Sequence, residues 1–167
     1  MSNVIDKFQE NIFKLSSNEL KHNEVLPDAQ VYNGYGCKGG NVSPQLTWTN
    51  TPANTKSFAI ICHDPDAPRP NGWYHWLVVN IPSGINSIKK AEKIPNALET
   101  ITDFETTGYG GACPPIGHGI HHYNFTVYAL SVEKLNVKET DKPKKVEEEI
   151  LKHAIAKSTI TGLFERK

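Results

Sequence analysis

Apolar residues fall in short runs along the chain, and turn-forming residues separate these runs from one another. Eleven prolines and twelve glycines divide the sequence, and the runs between them are rich in the β-branched and aromatic residues that favour strands. The pattern predicts strands at residues 13–15, 45–48, 57–63, 75–81 and 121–130. We therefore expect a mainly β protein built from many short strands.

One stretch near the C-terminus has the periodicity of an amphipathic helix. Its apolar residues recur at helical spacing, at positions 146, 150, 151, 154 and 155. Pro143 suits the first turn of a helix, and Thr140 or Asp141 is a candidate N-cap. The pattern predicts a helix over residues 146–156. A second charged stretch, residues 88–99, is either a short helix or a loop.

Length and charge limit the classes of function. A chain of 167 residues fits one domain, which we place at residues 1–167. The chain carries 18 basic and 18 acidic residues, so its overall field has no strong sign to attract nucleic acid. No segment is long and apolar enough for a transmembrane helix. Any anion recognition must therefore be local, and a homodimer stays open.

The cysteines and the N-terminus favour a cytoplasmic protein. Cys37, Cys62 and Cys113 lack both the dense even spacing of secreted disulfide frameworks and a CxxC metal pair. We expect all three thiols to be reduced. The first fifteen residues, MSNVIDKFQENIFKL, lack the continuous apolar core and small-residue cleavage site of a secretory signal.

A turn with two acids, DPDAP at residues 64–68, directly follows an apolar strand. Proline removes a backbone donor and fixes φ, so this turn should be rigid and can hold one carboxylate in a fixed orientation. Aspartate is also common in turns, where its side chain makes local hydrogen bonds. Both roles remain open for Asp64 and Asp66.

Histidines open two of the predicted strands. Strict alternation places His75 on the face of Leu77, Val79 and Ile81, at the edge of an apolar surface, where a packing role is the alternative to a ligand-binding role. In the strand that starts at residue 121, alternation groups the side chains in two sets: His121, Tyr123, Phe125 and Val127 on one face, and His122, Asn124 and Thr126 on the other.

The glycine-rich loop before this second strand allows close approach of a ligand, and its N–H groups can form an anion-binding nest. A tight turn before an aromatic strand would explain the glycines equally well, but it explains three histidines in five residues less well.

Several ordered blocks resemble the phosphatidylethanolamine-binding protein family, and most closely its bacterial Raf-kinase-inhibitor-like branch. These blocks are DPDAP at 64–68, WYHWLVVNIP at 73–82, GYGGACPP at 108–115 and GIHHYNFTVYAL at 119–130. The likeness extends over roughly residues 12–165. It implies a central antiparallel sheet, a smaller second sheet and peripheral helices, including one near the C-terminus.

The resemblance also implies a small anion-accepting cavity. The pocket residues of the family correspond to Asp64, His75, His121 and Tyr123 here. Positions that shape the rim correspond to Ala67, Pro68, Gly111, Cys113, Pro114 and Pro115. The chain departs from the family at His122, where arginine is usual.

Two classes of function follow. The first is a binding protein for a small phosphate-like or carboxylate ligand. It would act as a regulator that recognises a phosphorylated ligand or partner protein. We expect the two pocket histidines to donate hydrogen bonds to the ligand as they become protonated near pH 6.5. The alternative is a hydrolase or metal-dependent enzyme that uses Asp64, His75 and His121. No HExxH or GxSxG motif supports the enzyme, so we expect no catalytic residue, no cofactor and no resident metal ion.

Overall fold

The computed structural model describes residues 12–167, whose strands form three sheets. The strands are β1 (Lys14–Ser16), β2 (Glu24–Val25), β3 (Asn33–Gly34), β4 (Cys37–Lys38), β5 (Leu46–Thr49), β6 (Ser57–Asp64), β7 (Trp73–Pro82), β8 (Ser87–Ile88), β9 (Leu98–Glu99), β10 (His121–Leu130) and β11 (Ala154–Phe164). A 3₁₀ helix spans Asp28–Gln30, and helix α1 spans Pro143–His153. The prediction of a mainly β fold is confirmed.

A six-stranded sheet, ordered β2-β11-β10-β6-β7-β9, forms the centre of the molecule. Its pairings are antiparallel except for the parallel edge pair of β2 and β11. A three-stranded sheet, β1-β5-β8, and the β3-β4 hairpin complete the β structure. The predicted central and smaller sheets are thus both present. Most of the N-terminal stretch interpreted above, and the start of the predicted domain, lie outside the described residues.

Both faces of the central sheet are covered, so its inner strands are buried on both sides. On one face, Phe58 and Ile60 pack with Trp48 of the small sheet. On the other face, Ala59 and Ile61 belong to a second cluster that includes side chains of α1. Continuous apolar strands are expected when helices and sheets cover both faces. None of the helices in the described range is long and apolar enough to cross a membrane.

Helix α1 is shorter than predicted at its C-terminal end. It ends at His153, and Ala154 and Ile155 begin strand β11. Val146 and Ile150 are buried as predicted, but the N-cap is Lys142, without a side-chain hydrogen bond. Residues 154–164 pair with β10 along its whole length, and this pairing supplies hydrogen-bond partners for their backbone groups. Residues 88–99 are not helical and contain the last residue of β8 and the whole of β9.

Two irregularities in the pairing of β6 with β7 contradict the predicted alternation of β7. The register shifts between Phe58 and Ile60 and again between Cys62 and His63. As a result, Leu77 and Val79 pack in the cluster on the helix side, whereas Ile81 packs in the opposite cluster.

The second shift places His75 at a β-bulge, because Cys62 pairs with Trp76 whereas His63 pairs with Tyr74. A bulge bends the strand and re-aims a side chain. Here the His75 ring lies 5.2 Å from the ring of Tyr123, centroid to centroid, and Tyr123 belongs to the same core cluster as Trp76. His75 therefore lies on the face opposite to the predicted one.

The prediction of three reduced thiols is wrong for two of them. Cys37 of the β3-β4 hairpin and Cys113 form a disulfide that links positions 76 residues apart. Cys62 is free and buried, and burial together with the nearby Asp64 carboxylate raises the pKa of its thiol well above the usual value. Sequence spacing could not show this disulfide, because only the fold brings residues 37 and 113 together.

Candidate functional site

A cavity of about 380 Å³ opens at the edge of the central sheet where β6 ends and β7 and β10 begin. Ten of the residues that line it are the predicted site residues, namely Asp64, Ala67, Pro68, His75, Gly111, Cys113, Pro114, Pro115, His121 and Tyr123. Four more line it that the sequence interpretation missed: Tyr35, Arg69, Trp73 and Phe104. The fold thus gathers segments of the chain separated by 88 positions, from residue 35 to residue 123, around one cavity.

Asp64 and His121 form a buried pair at the floor of the cavity. His121 Nδ1 lies 2.6 Å from Asp64 Oδ2, and the exposed fractions of the two side chains are only 1% and 4%. A carboxylate can only accept, so His121 Nδ1–H is the donor. The carboxylate therefore fixes the orientation of the ring and turns its Nε2 away from the pair.

The proline-bounded turn holds this carboxylate from both sides. Asp64 Oδ1 accepts a hydrogen bond of 2.8 Å from the backbone N–H of Asp66. Asp64 therefore makes the local turn contact and the long-range contact to His121 at the same time. The two roles that the sequence left open for Asp64 are combined in one side chain.

His75 has a different chemical character from that expected. Its Nδ1 lies 2.7 Å from the carbonyl oxygen of Gly110, so Nδ1 carries the proton and donates it. Burial, against the weaker opposing effect of the Gly110 carbonyl, lowers the pKa of His75 to about 4. His75 is consequently neutral near pH 7, and the nitrogen left for a ligand, Nε2, is an acceptor. The expectation that His75 becomes a cationic donor near pH 6.5 is wrong.

Aromatic rings surround His75. Phe104 packs edge-on against both Trp73 and His75, with centroid distances of 5.1 and 5.5 Å. Tyr123 is 1% exposed, and burial, reinforced by Asp64, raises the pKa of its hydroxyl well above the usual value. The hydroxyl of Tyr123 therefore stays protonated and can donate. The cavity combines a few polar groups with a largely aromatic wall.

His122 lies outside the set of residues that line the cavity. Its Nδ1 and its backbone N–H both contact Asp66 Oδ2 at 2.8 Å on the surface. Burial raises the pKa of Asp66, but the hydrogen bonds from His122 outweigh it and lower the pKa below the usual value. A histidine thus pairs with this exposed carboxylate at the position where arginine is usual in the resembling family.

The disulfide and an arginine hold the rim together. Cys113 lines the cavity, and its partner Cys37 follows Tyr35 in the β3-β4 hairpin. Arg166 donates hydrogen bonds to the carbonyl oxygens of Pro114 and Tyr35, at 3.1 and 3.2 Å. These contacts join the hairpin to the loop that carries Pro114. An aromatic residue within the Asn33–Gly36 turn was the available signal for Tyr35, whereas nothing in the sequence points to Phe104.

The described residues contain no group of three or more histidine, cysteine, aspartate or glutamate side chains arranged to hold a metal ion. His75 Nδ1 donates to the Gly110 carbonyl, and the His75 ring packs against Phe104 and Tyr123, so only Nε2 of this ring is left for a ligand.

The fold and the cavity define a class of β-sheet proteins with a ligand-sized pocket at the ends of central strands. The phosphatidylethanolamine-binding protein family model matches residues 16–165. The chain is also 43% identical over 162 residues to the UPF0098 protein YbcL of Escherichia coli, covering 93% of this chain and 88% of that protein. It is 43% identical over 157 residues to YbhB of the same organism, covering 90% of this chain and 99% of that protein. This chain belongs to the phosphatidylethanolamine-binding protein family.

Solved structures agree with this assignment. The crystal structure of Escherichia coli YbcL, described as a new member of the mammalian family, superposes with a TM-score of 0.90 at 41% identity, covering 93% of this chain and 99% of that one. A phosphatidylethanolamine-binding protein homologue from Chlamydia trachomatis superposes with a TM-score of 0.81 at 28% identity, covering 94% and 99%. The predicted family and fold are therefore confirmed.

Proposed function

We propose that this protein binds a small ligand through a phosphate-like or carboxylate group held in the cavity. The observation that carries the proposal is the buried pair of His121 and Asp64 at the floor of a cavity with mostly aromatic and aliphatic walls. Apolar pockets with a few convergent polar groups are typical of small-molecule sites. Tyr123 supplies a neutral hydroxyl donor at the same floor.

The chemistry of the floor favours one ionisation state of the ligand. Asp64 is a carboxylate acceptor, and neutral His75 presents an acceptor nitrogen. A phosphate dianion brings no hydrogen-bond donor and adds repulsion from Asp64. A phosphate monoester monoanion carries one O–H that an imidazole nitrogen can accept. We therefore infer that a phosphate-type ligand binds as a monoanion that carries its own donor.

Calorimetric titration with methyl phosphate and dimethyl phosphate tests this proposal. Both are monoanions at about pH 5, but only methyl phosphate has an O–H, and its second pKa is about 6. We expect methyl phosphate to bind at least about tenfold more tightly, since hydrogen bonds to charged groups contribute about 1.5–3 kcal/mol. Above about pH 6 its affinity should fall as the dianion forms.

A matched pair of variants locates the site. His121→Ala should abolish methyl phosphate binding, whereas His122→Ala should leave it nearly unchanged because His122 lies outside the cavity. Equal binding of the two phosphates, or equal losses in the two variants, would contradict the proposal.

The predicted regulatory role also depends on this cavity. If the protein is a regulator that recognises a phosphorylated partner protein, the phosphate group of that partner would bind in the same cavity. No observation on the described residues favours the hydrolase or metal-dependent enzyme. A cytoplasmic location and a homodimer stay predictions, and the disulfide between Cys37 and Cys113 weighs against the cytoplasm, where disulfides are rare.

A further inference from the structure

The loop before β10 brings a second histidine against the histidine of the cavity. His118 Nδ1 lies 2.7 Å from His121 Nε2, and the two ring centroids are 4.9 Å apart. His121 is buried, whereas His118 is exposed. Because His121 Nδ1 already contacts Asp64, both nitrogens of the cavity histidine are engaged inside the protein.

When the His121 ring is neutral, this geometry determines which ring donates to which. A neutral imidazole has one N–H donor and one acceptor nitrogen. His121 donates from Nδ1 to Asp64, so its Nε2 accepts the Nδ1–H of His118. A ligand that reaches His121 must compete with His118 for the same nitrogen. The contact between the two rings therefore competes with a ligand for His121 Nε2.

The loop around His118 has room to move away. Gly117 and Gly119 flank it with φ angles of 72° and 91°, and there is open space within 4 Å of the position where each would carry a side chain. Two backbone hydrogen bonds hold the loop, from Gly117 N–H to the Arg166 carbonyl and from His118 N–H to the Pro115 carbonyl, at 2.8 and 3.2 Å. The ring of His118 can turn into solvent without opening the core.

We propose that His118 is a gate residue, which occupies His121 Nε2 in the empty protein and is displaced when the anionic ligand donates to that nitrogen. This inference rests on the proposed function and adds its regulation. His118 acts through His121 and selects for ligands whose donor can replace an imidazole N–H. Ligands without such a donor leave the gate closed.

Phosphate affinity of His118 variants tests the gate. The probe is inorganic phosphate at about pH 6, titrated by calorimetry into the wild-type protein, His118→Ala and His118→Asn. His118→Ala removes a hydrogen bond whose net contribution is about 0.5–1.5 kcal/mol, so affinity should rise about 2- to 12-fold. His118→Asn retains an N–H donor near Nε2, so its affinity should return towards that of the wild type. His153→Ala, on a remote histidine at the end of α1, is the matched control and should change nothing.

Long-range ¹H–¹⁵N spectra of the histidine rings provide the second measurement. In the wild type, phosphate should shift the His118 Nδ1 signal towards that of a solvated imidazole and change the His121 Nε2 signal at the same concentrations. In His118→Ala, the free protein should already show His121 Nε2 without a histidine partner.

The outcomes separate the gate from the site itself. Weaker or unchanged phosphate binding in His118→Ala would overturn the gate while leaving the cavity as the binding site. A His118 signal that stays unchanged at saturating phosphate would also overturn it. Absence of phosphate binding in every variant would overturn the proposed function and the gate together.

Discussion

Two aspartate–histidine pairs, Asp64–His121 and Asp66–His122, lie side by side on adjoining segments, and they differ mainly in burial. The Asp64–His121 pair is almost completely buried, with a contact of 2.6 Å, whereas the Asp66–His122 pair has side chains 37% and 49% exposed and a contact of 2.8 Å. The same turn supplies both acids, and the start of β10 supplies both histidines. Alternation along β10 sends one pair into the cavity and the other to the surface.

The comparison shows how burial changes the effect of the same pair of side chains, an aspartate and a histidine. In water, an ion pair is screened and contributes little. In the interior, each polar group depends on its partner because no solvent can replace it. We therefore expect the inner pair to determine stability and ligand binding, and the outer pair to adjust only the local charge of the turn.

Removing one histidine from each pair should give the largest contrast. His121→Ala leaves the Asp64 carboxylate buried without its imidazole, and we expect the free energy of unfolding to fall by about 3–5 kcal/mol. His122→Ala should cost no more than about 1 kcal/mol, because its pair is exposed. Urea denaturation of both variants provides the measurement. Similar losses would show that burial does not distinguish the pairs.

His75 extends the comparison to a histidine buried without a carboxylate partner. Burial lowers its pKa to about 4, while its pKa in the unfolded chain is about 6.5. The unfolded state therefore binds more protons than the folded state as the pH falls between these values. The ionisation of His75 therefore leaves the free energy of unfolding unchanged above about pH 6.5 and should lower it by about 3 kcal/mol towards pH 4.

Urea denaturation between pH 7 and pH 4 tests this contribution. His75→Asn has no imidazole to titrate but retains an N–H that can donate to the Gly110 carbonyl, so it should lose less stability than the wild type over that range. Parallel pH profiles for the two proteins would argue against a depressed pKa for His75.

The outer pair should show the smallest effect. The pKa of Asp66 lies below its usual value because His122 donates to it, although partial burial opposes the shift. His122→Ala should raise this pKa towards its usual value, and His122→Arg should keep it low, since arginine also donates to carboxylates. Titration of the Asp66 carboxyl carbon by NMR measures both variants. An Asp66 pKa that is the same with and without His122 would remove the outer pair from the comparison.

The contrast between β10 and β7 shows how much the sequence could predict. β10 pairs with β11 without a shift over residues 121–129 and with β6 without a shift over residues 124–130, so alternation correctly placed His121 and Tyr123 on one face and His122 on the other. β7 carries two register shifts, and alternation therefore placed His75 on the wrong face. Its position in the cavity came from family resemblance rather than from strand periodicity.

Other errors came from contacts between distant residues. The apolar spacing of α1 continues through Ala154 and Ile155, so sequence periodicity alone extends the helix, but pairing with β10 converts these residues to strand. The sequence of the turn could not predict the partner of Asp64, because His121 lies 57 positions away. Phe104 enters the cavity from a loop without a motif. Local patterns were reliable where the backbone is regular.

Because of the disulfide between Cys37 and Cys113, the ligand site depends on whether the purified protein is kept oxidised or reduced. Cys113 belongs to the cavity wall, and Cys37 anchors the hairpin that carries Tyr35. A reductant such as dithiothreitol breaks this covalent link and leaves the hydrogen bonds of Arg166 to join the two segments. We therefore expect affinities measured in reducing and non-reducing buffers to differ.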